Sequence, residues 1–244
     1  MGEVFIVALL TDLATGLGVI PFGFVKTASD RSTGIATAVA SGMMLSASVF
    51  ALADKALRRG NAVEVVAGMI AGAAFFTATA KLVVGCDWRL GGWSKARSRQ
   101  PIVVIVTMFV HSIPEGVAIG VGYATGELRF GLLLAVAIAV HNIPEGTAVA
   151  LPLRASGASL WRCLWSAVFT SLPQPIVAVP AFLLIAVAQP LLPISLGFAG
   201  GAMIFLVMSE LVPESLARCS RMATAWGVTT GLVGMLGFTA ALGL

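Results

Sequence analysis

Charge and histidine are both scarce in this chain. Charged residues fill 11% of its 244 positions, and histidine occurs twice. A soluble domain carries about 25% charged residues, so too little polar surface exists to keep this chain in water. Its mean hydropathy of +0.99 places it in a bilayer. Paired cysteine chemistry is excluded as well. Three thiols, Cys86, Cys163 and Cys219, are odd in number, widely spaced and free of any CxxC pattern, so neither a structural disulfide nor a thiolate zinc site is expected. A basic leader is also missing: Glu3 stands where Lys or Arg would, and the first apolar run reads as a retained helix, not a cleaved signal.

What is there instead is a series of long apolar runs. Eight stretches, at about 3–25, 33–54, 63–84, 101–124, 130–153, 160–188, 192–213 and 222–243, have the roughly 20 residues a spanning helix needs. The runs are continuous and do not alternate, which favours helices over a β-barrel. Little else remains apart from a hydrophilic stretch at about 85–100, so the expectation is one transmembrane domain over 1–244, all-α. The pI near 9.3 follows from topology and implies no nucleic-acid partner. With the N-terminus outside, Lys26, Arg31, Lys81, Arg89, Lys95, Arg97, Arg99, Arg154, Arg162, Arg218 and Arg221 fall on the cytoplasmic side, against Lys55, Arg58, Arg59 and Arg129 opposite. That is the bias of a positive cytoplasmic face.

Ionisable groups deep in such runs are costly and mark function. They are Asp12, His111, Glu115, His141, Glu145 and Glu210. Four of them belong to a repeated phrase, HSIPEG at 111–116 and HNIPEG at 141–146, each headed by one of the two histidines. Spacing of four puts His111 with Glu115, and His141 with Glu145, on one helix face. The two runs are consecutive, joined by a short loop and therefore antiparallel, so the two pairs can converge near mid-bilayer. Pro114 and Pro144 lack an N–H and loosen carbonyls near Val110 and Val140. Gly116 and Gly146 permit close helix approach. Imidazole nitrogen with carboxylate oxygen suits zinc and other first-row divalent ions. Two carboxylates neutralise one such ion and offset its desolvation. One His–Glu ion pair per helix, or an interhelical hydrogen bond, are the plainer readings. The spacing reaches a buried divalent-metal site and does not by itself separate transport from catalysis.

At these residues the chain resembles the ZIP family (Zrt/Irt-like proteins) of divalent metal transporters, whose fourth and fifth helices carry HNxPEG-like motifs. The resemblance implies eight helices with both termini outside the cytosol in the plasma membrane, an inverted repeat of helices 1–3 and 6–8 around helices 4–5, a homodimer, and no enzyme activity. It implies Zn2+ foremost, with Fe2+, Mn2+ and Cd2+, as the transported substrate, held by His111, Glu115, His141 and Glu145. It also implies roles for further residues. SGMML at 41–45 looks like the second-helix segment that lends a thioether, here Met44 and not Met43. SLPQP at 171–175 places Gln174 where many relatives have Glu. Ser112 stands where Asn is usual, and Asn142 where some relatives carry Asp. Those positions help form a second metal site in the family. With two carboxylates fewer, one well-formed site and a weak or absent second are expected, Gln174 and Asn142 offering only neutral oxygens. Glu210, in MSELVPES, is an expected exit-path acid, with Asp87 nearby. A different class, an intramembrane zinc hydrolase, needs an open coordination position and a separate general base.

Overall fold

The computed structural model describes residues 1–24, 29–85 and 96–241. Among the described residues every regular element is a helix. In chain order the long helical runs are α1 (Gly2–Gly23), α2 (Asp30–Arg59), α3 (Ala62–Gly85), α4 (Ala96–Ala124), α5 (Leu128–Ala155), α6 (Leu160–Val187), α7 (Gln189–Arg218) and α8 (Arg221–Ala241). Their ends follow local chemistry. Ser29 caps α2 by accepting the Ser32 N–H at 3.1 Å, and Ser159 caps α6 by accepting the Arg162 N–H at 3.3 Å. Gly126, at φ 79°, makes the tight turn between α4 and α5 that only glycine takes at no steric cost. The expected Asp87 and Cys86 positions lie outside the described residues.

Seven of these helices are long and apolar enough to cross a membrane. The eighth expected run is helical over Arg221–Ala241 but falls outside that set, because Thr224, Thr229, Thr230 and Thr239 and four glycines dilute its hydropathy. The hydropathy signal and the helix signal part company there for a compositional reason. Four runs are not regular throughout: α1 is interrupted by a turn at 18–20 and α6 at Leu172, and Ala47–Ala53 in α2 and Val207–Leu211 in α7 are π-helical. Such segments often sit at functional positions.

The packing pairs are specific. α3 lies along α7, α2 along α8, α4 along α6, and α1 along α5, while α4 and α5 pack on each other. Small residues make the closest approaches, as expected where lipid supplies no hydrophobic drive between helices. A Cβ on Gly146 would lie 1.8 Å from the Thr15 carbonyl oxygen of α1, and one on Gly116 2.7 Å from the Gln174 carbonyl oxygen of α6. The last residue of each repeated phrase is therefore where its helix meets a flanking helix backbone to backbone.

One end of the α4–α5 hairpin is strapped to α2. Glu127 accepts from Lys55 and Arg59, and Lys55 also lies over the Phe130 ring, 4.9 Å from its centre. The Lys55 hydrogen bond, then the Arg59 one, hold the Glu127 carboxyl below the usual carboxylate range. Its contribution is present above the ordinary carboxylate pKa and is lost as pH falls through the lowered value.

Gly146→Ala is expected to lower the thermal midpoint in detergent markedly, since backbone and not a flexible side chain must yield. Gly234→Ala, where the added Cβ meets nothing within 4 Å, is expected to hold or raise it. Fluorescence-detected melting of the two purified variants checks the contrast.

Candidate metal centre

Both copies of the repeated phrase lie within unbroken helices that continue through Pro114 and Pro144. The antiparallel hairpin turns the two His–Glu faces toward each other. His111, Glu115 and His141 are at most 1% exposed, and Glu145 is 5% exposed. The cross-helix contacts run from each histidine to the other copy's acid. His141 Nε2 lies 2.9 Å from Glu115 Oε1, and His111 Nε2 lies 3.1 Å from Glu145 Oε1. Within α4, His111 Nε2 is 3.8 Å from Glu115 Oε1. His111, Glu115 and Glu145 each offer a ligand atom within 4.8 Å of the others, and His141 joins them through Glu115. Nδ1 of both rings has no hydrogen-bond partner.

The duplicated phrase thus builds one cluster, with the ion-pair reading realised across the helices instead of along each. Imidazole nitrogens and carboxylate oxygens at these separations are what a tetrahedral zinc site uses. Neutral imidazoles leave two carboxylates to balance one divalent charge, so a cation entering the cluster replaces contacts the ligands otherwise make with each other.

A second tier orients the first. Gln174 Nε2 donates to Glu115 Oε2 at 2.6 Å. The Gln174 oxygen is engaged in turn, accepting from Asn142 Nδ2 at 3.2 Å and lying 2.7 Å from the Thr11 hydroxyl. Asn142 Nδ2 also donates to the Thr11 carbonyl at 2.9 Å, and the Thr15 and Ser171 hydroxyls meet at 2.7 Å. Gln174 therefore acts on Glu115 through its N–H while its oxygen faces α1. Ser112 turns back on its own helix, donating to the Met108 carbonyl at 3.2 Å, and so adds nothing to this tier. Partners of this kind are what fix metal ligands in place.

The other expected residues are placed as follows. Met44 is fully buried in the main core, just before the π segment of α2; Met43 packs instead in a small cluster with Ala47, Ala137 and Met235. Glu210 is half-buried in the π segment of α7. The sequence reading missed Thr11, Thr15 and Ser171. The signal for the first pair was present as TDLAT, two threonines four apart and therefore on one face of a mostly apolar helix.

The chain is also similar in sequence to known proteins. Residues 94–239, which include both copies of the phrase, match the family model "ZIP Zinc transporter". Over 248 residues the chain is 34% identical to the zinc transporter GufA of Myxococcus xanthus, covering 96% of this chain and 98% of that protein. It is 37% identical over 225 residues to a putative zinc transporter of Arabidopsis thaliana, and 36% identical over 151 residues to the zinc transporter ZIP11 of Homo sapiens. The matches span 36% of the Arabidopsis protein's length and 44% of the human protein's.

Replacing Gln174 by Glu sets two carboxylates against each other at the 2.6 Å contact and removes a donor to a charged group. Gln174→Glu is expected to lower the metal-free thermal midpoint by about 5 °C. Zn2+ is expected to restore it, with a larger metal-induced rise than in the unaltered protein, since added charge raises the site's demand for a cation. Melting curves with and without Zn2+ read both effects.

Proposed function

The chain belongs to the ZIP zinc transporter family, and from that premise we propose that it carries divalent transition-metal ions, Zn2+ foremost, across the membrane toward the cytoplasm. The observation that carries this reading is the convergence of His111, Glu115, His141 and Glu145 in one buried cluster. Fe2+, Mn2+ and Cd2+ fit the same donors, with the Met44 thioether as a softer contributor. Asn142 and Gln174 set the orientation of Glu115, and Glu210 marks the way out along α7.

The architecture is that of eight spans, α8 being the eighth. Its 21 residues extend about 31 Å at 1.5 Å per residue, enough to cross the hydrocarbon. α1–α3 and α6–α8 form an inverted repeat about the α4–α5 hairpin. The packing supports this: exchanging α1 with α6, α2 with α7, α3 with α8 and α4 with α5 turns the pairs α1–α5 and α2–α8 into α6–α4 and α7–α3, which are the pairs observed. The two π segments fall on α2 and α7, an exchanged pair. Transporters built this way hold substrate near the midplane at the repeat interface.

The termini lie outside, in the plasma membrane of the cell. Four basic residues, Lys55, Arg58, Arg59 and Arg129, fall on that side against eleven on the other, and the richer side is the cytoplasmic one. The protein acts as a homodimer. α3, among the least buried of the spans, presents Val63, Val66 and Ile70 outward as apolar surface for lipid or a second copy. The hydrolase alternative finds no support: the matched relatives are named transporters, and both glutamates of the cluster are held as symmetric partners of histidine, with none left over as a base.

Purified protein in liposomes enclosing a zinc-sensitive dye is expected to take up Zn2+, and His141→Ala and Glu145→Ala to cut the initial rate by more than about tenfold. Metal that binds but never reaches the lumen would sink the transport reading and leave a fixed site.

A further inference from the structure

The helices pack as two sets. α1, α4, α5 and α6 lie against one another, as do α2, α3, α7 and α8, and the sets meet chiefly where α4 lies on α7 and α2 on α5. Polar bonds are unevenly placed between them. The orienting tier around Glu115 joins α1, α4, α5 and α6. Ser215 with the Gly34 carbonyl, and Arg218 with Asp30, join α7 to α2. Among the described residues, every side-chain hydrogen bond or ion pair from one set to the other ends on Ala124, Thr125 or Glu127, at the α4–α5 turn. Lys55 and Arg59, four apart on α2, both pair with the Glu127 carboxylate. Arg59 also donates to the Thr125 carbonyl at 3.4 Å, and Gln189 of α7 to the Ala124 carbonyl at 3.4 Å.

The turn is braced from within. The Thr125 hydroxyl donates to the Gly122 carbonyl at 2.7 Å and accepts the Glu127 N–H at 3.2 Å, so a pull on Glu127 is carried into both helices of the hairpin. Along α5, Glu127 stands about 20 Å from His141 at 1.5 Å per residue. Between them, Ala137 packs with Ala47 of α2 and Met235 of α8, an apolar contact from one set to the other. Apolar surfaces part or slide without leaving a polar group unpaired, whereas ion pairs are directional. The His/Glu cluster is buried, so an ion arriving from this end needs the sets to separate here. The grip is made at water: the Glu127 side chain is 46% exposed and that of Arg59 39%, and water replaces such bonds at small cost. The carboxyl is held below its ordinary range by the Lys55 hydrogen bond and then the Arg59 one, so it stays ionised near neutral pH and the grip yields to water, not to protonation. Lys55 and Arg59 lie just beyond the π segment Ala47–Ala53, a widened turn that lets the end of α2 shift.

We propose that Glu127 is a positioning residue for ion entry: gripped by Lys55 and Arg59, it is the catch that keeps the outer end of the α4–α5 hairpin closed on α2. Release of the catch lets the two sets part and opens the cluster to the outside. The inference rests on the transport reading above, since it needs an ion to enter from that end.

Thiol labelling on intact cells tests this. Ala137→Cys is treated from outside, without added metal, with a membrane-impermeant maleimide, and the chain without that substitution serves as the blank. Glu127→Gln is expected to raise the labelling rate of the thiol at position 137 by about threefold or more. Lys55→Gln with Arg59→Gln is expected to match that rise, and to add nothing when combined with Glu127→Gln, because all three remove the same bonds. An unchanged rate in Glu127→Gln overturns the proposal, and so do rises that multiply when the substitutions are combined, which mark general loosening. If Ala137→Cys does not reach the membrane, Ala47→Cys, on the facing side of the same contact, gives the same readout. Labelling is read without transport, so the two readings fail separately: liposomes that never fill sink transport, and a thiol indifferent to Glu127 sinks the catch alone.

Discussion

The cost of holding charge away from water governs this molecule. A histidine or a glutamate alone at mid-membrane is too expensive to keep. The chain places four such groups at one depth and lets each answer another, His141 to Glu115 at 2.9 Å and His111 to Glu145 at 3.1 Å. The pairing crosses between helices, so neither copy of the phrase is satisfied without the other. The His141–Glu115 hydrogen bond ties the register of α4 to that of α5, since aliphatic side chains tolerate sliding and a directional contact does not. It also leaves the ligands poised. A divalent cation in the cluster would replace these contacts between side chains and leave no carboxylate uncompensated.

The rest of the bundle keeps those four groups in place. Gly116 and Gly146 close each phrase at the point where α4 meets α6 and α5 meets α1, with backbone at van der Waals distance or closer to any added carbon. These approaches bring Gln174 and the Thr11 carbonyl within reach of Glu115 and Asn142. Position of the helix and orientation of these side chains thus have one cause. The π segments add slack where rigidity would be a fault. One follows Met44 on α2 and the other contains Glu210 on α7, and a widened turn can shift a side chain without breaking the helix.

Much of this was legible in the sequence, for reasons that particular residues make clear. The repeated phrase was readable because i, i+4 spacing and antiparallel connection are both local rules, and together they force His111, Glu115, His141 and Glu145 into one place. The helical runs were readable because hydrocarbon thickness sets their length. The orienting tier was not. Which way Gln174 turns depends on α1, which lies more than a hundred residues away in the chain, and no local pattern says that its N–H faces Glu115 while its oxygen faces Thr11. Hydropathy and helix formation diverged over Arg221–Ala241 because threonine and glycine lower the first without preventing the second. The cross-helix direction of the ion pairs was likewise invisible, since the spacing within each phrase serves an intrahelical pair equally well.

The two copies differ at one internal position, and that difference breaks the symmetry of the site. In the first copy Ser112 is short and bonds the Met108 carbonyl of its own helix. In the second, Asn142 is long enough to reach across to α1 and to Gln174. Polar contacts therefore grow outward from the cluster on the α1 side, through Asn142, Thr11 and Gln174, while Ser112 makes no matching contact on the other. Each added polar group on that side needs a partner in a low-dielectric interior. Thr15 and Ser171 supply one another, and Asp12 and the Asn142 oxygen are left over. A cluster that were symmetric would hold its ion equally from both sides. This one has its further polar groups on the α1 side only.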